Sequence, residues 1–241
     1  MTGAHLNSAD ITTIIFDMDG TLIEHTWQLD KITGLLFARF ADALAPVTHD
    51  EFFNLFWLKN EDMWHMMVDG VLDGVTAAKY GYINTLRALG QDTSLGEAML
   101  DYWQELVLME ALPFQDTFTV LEALRGRYTT GIVTNGVTRF QRSKIDHHNL
   151  ANYVDFTLVS EEAGYHKPDK RIFQKALQLA GHPRPEQTLY VGDNPISDIQ
   201  GAQGAGLIPI LIIRRNDTES PAGVVKIGSL SDLLPLLQLQ F

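Results

Sequence analysis

Five short apolar runs, separated by helical patterns, constrain this chain more than any other feature of its 241 residues. They are Thr12 to Phe16, Thr130 to Val133, Phe156 to Val159, Thr188 to Val191 and Ile208 to Ile213. Each is continuous rather than alternating, as strands are when helices cover both faces of a parallel sheet. Helix-like stretches lie at Thr117 to Arg125, Arg139 to Asn149, Lys170 to Ala180 and Asp198 to Ala205. The alternation predicts an α/β fold, a Rossmann-like doubly wound parallel sheet.

One segment breaks the alternation. Ile23 to Leu112 holds no convincing strand and reads as helices at Trp27 to Ala45, Asp50 to Val68, Val75 to Leu89 and Leu95 to Glu110. Pro46 and turns at Asp69-Gly70, Asp73-Gly74 and Gly90 punctuate it, and Pro113 marks the return to the sheet. The reading is an all-helical domain, 23–112, inserted into a core domain made of 1–22 and 113–241. Its aromatic residues, Trp27, Phe52, Phe53, Phe56, Trp57, Trp64 and Trp103, read as bundle core before substrate platform. His65 and Met66 carry the same ambiguity. No internal repeat or low-complexity tract is present.

Open parallel sheets bind ligands beyond the carboxyl ends of their strands, at the topological switch point. Asp17 and Asp19 fall just past the first run, Thr134 and Asn135 past the second, and Asp193 and Asp198 past the fourth. Lys167 opens a helix after the third. Clustered carboxylates repel unless a cation or shared proton relieves them. Mg²⁺ suits such a set, because it takes hard oxygen ligands, keeps several waters and bridges to phosphate. Asp17 and Asp193 would supply carboxylates, with a backbone carbonyl near Asp19 as a third ligand. Zinc fits less well: cysteine is absent, and His147-His148 are adjacent and diverge on a helix. Blander readings exist for single residues. Asp17 to Gly20 alone could be a turn, Lys167 a solvated lysine before a proline, and Asp198 a helix cap. Gly201, Gly204 and Gly206 read as helix packing and a C-cap rather than a nucleotide loop. His166, Arg139 and Arg142 read as solvent-facing.

Lys and Arg number 18 against 30 Asp and Glu, a formal charge of −12. No basic stripe serves a nucleic-acid backbone, so an anionic substrate needs local cations against a repulsive global field. The longest apolar run, Leu207 to Ile213, is far short of the ~20 residues a membrane helix needs. Met1 to Asp10 lacks the basic start and apolar stretch of a signal sequence. A soluble cytoplasmic protein is expected, with a small-molecule partner and a monomeric or homodimeric state.

Asp17-Met18-Asp19-Gly20-Thr21, Thr134-Asn135-Gly136, Lys167-Pro168-Asp169 and Gly192-Asp193-Asn194-Pro195-Ile196-Ser197-Asp198 resemble, in order, the four motifs of the haloacid dehalogenase-like superfamily. The insert resembles that family's helical cap, which closes over substrate and excludes water. The resemblance implies that Asp17 is the nucleophile forming an aspartyl-phosphate. Asp19 would protonate the leaving oxygen and then activate water; its presence resembles the phosphatase branch, because the dehalogenases lack an acid there. Gly20, Thr134, Asn135, Gly136 and Lys167 would hold the phosphoryl group, with Thr134 and Lys167 also acting in catalysis. Asp17, Asp19 and Asp193 would hold Mg²⁺, and Asp198 would orient water around it. Thr134 to Ile145 and Ser160 to Gly164 resemble the pyrimidine 5′-nucleotidase and acylneuraminate-phosphate phosphatase group. The implied activity is hydrolysis of a small phosphate ester, a nucleoside 5′-monophosphate first and a sugar phosphate second. A phosphomutase of the same fold and a non-catalytic phospho-ligand module are the alternatives.

Overall fold

The computed structural model describes residues 8–24, 28–214 and 223–239. Trp27, the expected start of the first inserted helix, lies outside them, as do residues 1–7. The chain divides into two compact units. One comprises Met1–Glu24, Pro113–Gly136 and Gln141–Phe241; the other comprises His25–Leu112 and Val137–Phe140.

The first unit is built on six parallel strands: β1 (Thr13–Phe16), β2 (Thr129–Thr134), β3 (Phe156–Val159), β4 (Thr188–Gly192), β5 (Ile208–Ile212) and β6 (Val225–Ile227). Their order is β3-β2-β1-β4-β5-β6. This is the doubly wound arrangement, with the switch point between β1 and β4. β6 is one strand more than the apolar runs predict, since Val-Lys-Ile is too short for a periodic signal.

The continuous apolar runs have a direct explanation. Ile14, Phe16, Ile132, Leu189, Val191, Ile210 and Ile212 enter one core. It also takes Val120, Leu121 and Leu124 of α5 (Thr117–Leu124) and Leu233 and Leu234 of α10 (Leu233–Leu236). Ile15, Val133, Tyr190 and Leu158 enter a second core. They meet Ile172, Phe173, Ala176 and Leu177 of α8 (Lys170–Leu179) and Ala202 of α9 (Gly201–Gly204) there. Strand residues alternate faces, and both faces are buried, so the runs are apolar at consecutive positions rather than at every second one.

The second unit contains α1 (Leu29–Leu44), α2 (His49–Val68), α3 (Gly74–Ala88) and α4 (Leu95–Glu110). Thr48 and Glu51 form a capping box at the start of α2, and the Asp73 side chain accepts from Thr76 N at the start of α3. Ile32, Leu36, Phe52, Phe53, Phe56, Tyr82, Leu86, Met99, Leu100, Leu106 and Val107 form one core. Phe52, Phe53 and Phe56 are therefore packing residues, while Trp57 is exposed. Val137 joins Met67 and Ala77 in a smaller cluster of the same unit. This return of the chain at 137–140 carries no signal in the sequence. Within the sheet unit, Ile23 and Pro113 form an isolated antiparallel bridge, and Leu22 O accepts from Phe114 N (3.0 Å) and Thr117 Oγ1 (2.7 Å). The two ends of the insert are thus pinned together, so the sheet can form around it.

Tyr82 is fully buried, its ring 4.5 Å from that of Phe56, and its hydroxyl has no hydrogen-bond partner among the described residues. An unsatisfied buried hydroxyl costs about 1–3 kcal/mol. Tyr82→Phe is expected to stabilise the protein by about 1 kcal/mol, read as a raised midpoint in thermal or urea unfolding. A lowered midpoint would show that the hydroxyl is solvated or bonded.

Candidate active site

β1 lies between β2 and β4, so the segments leaving these three strands converge. Phe16 is in register with both Ile132 and Val191, and Asp17 N continues the ladder onto Val191 O at 2.9 Å. Asp17 therefore stands at the sheet's carboxyl edge, with Thr134 and Asn135 on one side and Asp193 on the other.

Lys167 is the hub. Its side chain is 2% exposed, and Nζ donates to Asp17 Oδ1 (2.6 Å), Asp198 Oδ1 (2.7 Å) and the Tyr190 hydroxyl (2.9 Å). All three ammonium protons thus have partners. The Tyr190 hydroxyl in turn donates to Val133 O at 3.1 Å. Asn135 fixes the lysine's backbone: its Nδ2 donates to Lys167 O (2.9 Å) and its Oδ1 accepts from Lys167 N (2.8 Å). A loop lysine is thereby aimed into the sheet edge by an amide from the adjacent strand. Burial works against the Lys167 charge, but Asp17, Asp198 and Tyr190 outweigh it and hold its pKa well above the usual lysine value.

Asp17, Asp193 and Asp198 bring carboxylate oxygens within 4.8 Å of one another. Burial pushes Asp17 well above the usual carboxylate range, Asp198 and Asp193 push it further, and Lys167 opposes them. Burial, then the Asp198 charge, raises Asp193 to about 7. One lysine does not balance three acids, and a cation would relieve the excess. Gly20 makes the approach possible. Its φ is +86°, and a Cβ there would stand 2.2 Å from Asp193 Oδ2. Hard oxygen donors with no nitrogen or sulfur among them fit Mg²⁺. Asp198 is fully buried, and Asn194 N donates to its Oδ2 at 3.0 Å, so both of its oxygens already have partners in the chain.

Asp19 is held separately. Lys144 Nζ lies 2.7 Å and 2.6 Å from its two oxygens, and Gln141 Nε2 lies 3.0 Å from Oδ2. Both donors come from α6 (Thr138–His147). Gln141 Nε2 also reaches Thr134 Oγ1 (3.1 Å) and Asn135 O (2.5 Å). Gly136 makes room for this amide: its φ is +147°, and a Cβ would meet Gln141 Nε2 at 2.5 Å. Its N–H donates to Ser160 Oγ at 2.9 Å.

Lys144, Gln141 and Tyr190 carry no assignment in the sequence reading. Gln141 and Lys144 sit three apart on one helix face, amid Arg139, Arg142 and Ser143, and that stretch reads as a solvated surface. Tyr190 is hidden within an apolar strand. Arg142 forms a fork to Glu162, Nε–Oε1 2.7 Å and Nη2–Oε2 2.6 Å, and so faces a carboxylate rather than open solvent. Arg139 is exposed, 3.7 Å from Asp101. His166 is half-buried, which lowers its pKa, and is not the open loop residue expected.

The family model for haloacid dehalogenase-like hydrolases matches residues 11–206. The chain is 30% identical over 227 residues to the pyrimidine 5′-nucleotidase YjjG of Escherichia coli, covering 94% of this chain and 96% of that protein. It is 36% identical over 204 residues to the glyceraldehyde 3-phosphate phosphatase of Methanothermobacter thermautotrophicus, covering 84% and 85%. Among solved structures, the magnesium-bound HAD-hydrolase YfnB of Bacillus subtilis superposes with a TM-score of 0.75 over 95% of this chain and 99% of that one, at 23% identity. A 2-haloacid dehalogenase from Pseudomonas syringae superposes with a TM-score of 0.70 over 95% and 98%, also at 23% identity. These structural likenesses concern the fold.

Proposed function

The chain belongs to the haloacid dehalogenase-like hydrolases, and from that premise we propose that it is a Mg²⁺-dependent phosphomonoesterase working through an aspartyl-phosphate. The observation that carries this reading is Asp17 at the end of β1, in contact with buried Lys167, with a second acid, Asp19, two residues on. A dehalogenase needs the nucleophile but has no leaving alkoxide to protonate. An acid at position 19 suits an ester oxygen.

In this mechanism an Asp17 carboxylate oxygen attacks phosphorus in line with the ester oxygen. The O–P bond to Asp17 forms as the ester bond breaks. Asp19 in its protonated form delivers the proton to the departing oxygen, which leaves as an alcohol, and the carboxylate so produced is the form that pairs with Lys144. Lys167 stands over Asp17 and offsets the negative charge gathered on the transferring group. Thr134 Oγ1 and the backbone at Asn135 offer donors to the equatorial oxygens. Asp19, now ionised, takes a proton from water as that water attacks phosphorus, and Asp17 is restored. Asp17 and Asp193, with a backbone carbonyl near Asp19, would hold Mg²⁺, and Asp198 would orient the ion's water. Bound there, the ion would neutralise phosphoryl charge and align the reacting oxygens.

The substrate assigned is a nucleoside 5′-monophosphate, supported by likeness to a pyrimidine 5′-nucleotidase along nearly the whole chain. A small sugar phosphate is the second reading, supported by likeness to a glyceraldehyde 3-phosphate phosphatase. Inorganic phosphate release from a panel of both classes, with and without chelator, tests the proposal. Nucleoside 5′-monophosphates are expected to turn over fastest, chelation to reduce release to background, and added Mg²⁺ to restore it. Chelator-insensitive turnover would remove the metal from the reading. Tight binding with no release would replace hydrolysis by a binding function.

A further inference from the structure

Lys144 is a charged side chain that is 5% exposed, and among the described residues both its hydrogen bonds go to the two oxygens of Asp19. A buried ammonium is costly unless its partner is well placed. Gln141, one turn earlier on α6 and equally buried, adds a third hydrogen bond to the same carboxylate. The same Gln141 Nε2 also lies within hydrogen-bond distance of Thr134 Oγ1 and Asn135 O at the end of β2, so its two protons are shared among three acceptors. The Asp19 side chain is itself 19% exposed, enough to reach a ligand. Three hydrogen bonds from two side chains of one helix thus fix the direction of a carboxylate that sits on a loop.

We infer that Lys144 and Gln141 are positioning residues for Asp19, holding its carboxylate in register with Asp17 and with the phosphoryl-binding end of β2. This rests on the reading of Asp19 as the acid and base of the reaction. A general acid misplaced by about 1 Å can lose ~10²-fold in rate. A structural ion pair would have no such selectivity for the proton-transfer step.

The test compares kcat/KM for an alkyl phosphate with that for p-nitrophenyl phosphate. This constant ends at departure of the leaving group, and p-nitrophenolate needs no proton. Lys144→Met is expected to lower kcat/KM for the alkyl ester ~10²-fold and that for p-nitrophenyl phosphate only a few-fold. Lys144→Arg, which keeps the charge and a carboxylate fork, is expected to retain the leaving-group dependence of the native protein. In an Asp19→Asn background, Lys144→Met is expected to have no further effect. Equal losses on both esters, or additivity with Asp19→Asn, would overturn the inference and leave Asp19 its role. If Asp19→Asn itself shows no leaving-group selectivity, the reading of Asp19 falls instead. Should Lys144→Met not fold, Lys144→Gln carries the same comparison.

Discussion

Asp17→Asn protein is expected to lose ~10⁵-fold or more in phosphate release while folding at least as firmly as the native chain. The loss of activity follows from chemistry. A carboxylate can attack phosphorus and later leave from it; a neutral amide has neither property at this position. The retained stability follows from burial. Desolvation, reinforced by Asp198 and Asp193, holds the Asp17 pKa well above its ordinary value. A carboxyl raised in this way is less willing to ionise folded than unfolded, so its charge destabilises the fold at neutral pH. The amide removes that charge and relieves its acidic neighbours, and Lys167 keeps Asp198 and Tyr190 as partners. The melting midpoint should therefore be unchanged or raised, the opposition between stability and function typical of a catalytic site. The measurement is phosphate release together with a thermal melt, with mass spectrometry excluding deamidation back to aspartate. Turnover near the native rate, in protein shown to keep the amide at position 17, would defeat the nucleophile assignment.

The parts of this site that were legible in the sequence sit where a strand run stops abruptly at a polar residue. Phe16 to Asp17, Val133 to Thr134 and Val191 to Gly192-Asp193 are such stops, and a parallel sheet with one switch point brings them together. The family resemblance then supplied roles that strand ends alone do not. The supporting groups were not legible. Lys144 and Gln141 lie in a polar helix that buries them beside Ile145, so a hydrophobic pattern does not single them out. Tyr190 has the pattern of a core residue because it is one, and only its hydroxyl turns toward Lys167. Nothing in the sequence signals that the Asn135 side chain orders the lysine loop from the end of β2. β6 is three residues long and, among the described residues, pairs with β5 alone, which leaves no period to detect.

Lys167→Met should produce the second large effect, and it separates the lysine's part in folding from its part in catalysis. Met matches the volume of the lysine stem but removes a charge that touches Asp17, Asp198 and Tyr190. Breaking a buried charge cluster from one side costs about 3–5 kcal/mol, because the remaining acids lose their counter-charge. Activity should fall by ~10³-fold, the upper range for removing one preorganised donor to developing charge. The stability loss should depend on pH in a definite direction. Asp17 is raised well above the ordinary carboxylate range and Asp193 is raised to about 7, so both bind protons more tightly folded than unfolded. The stability these groups contribute is full below the ordinary carboxylate pKa and is lost as pH rises through the folded values, with no further change above them. Without Lys167 this dependence steepens, so the variant should recover part of its deficit between about pH 8 and pH 6. Mg²⁺ should recover part of it too, by binding only the folded cluster. Melting curves at the two pH values, each with chelator and with excess Mg²⁺, measure both recoveries. A variant that melts like the native protein under all four conditions would show that Lys167 is not the counter-charge of the acidic cluster, and the electrostatic account of the site would fail with it.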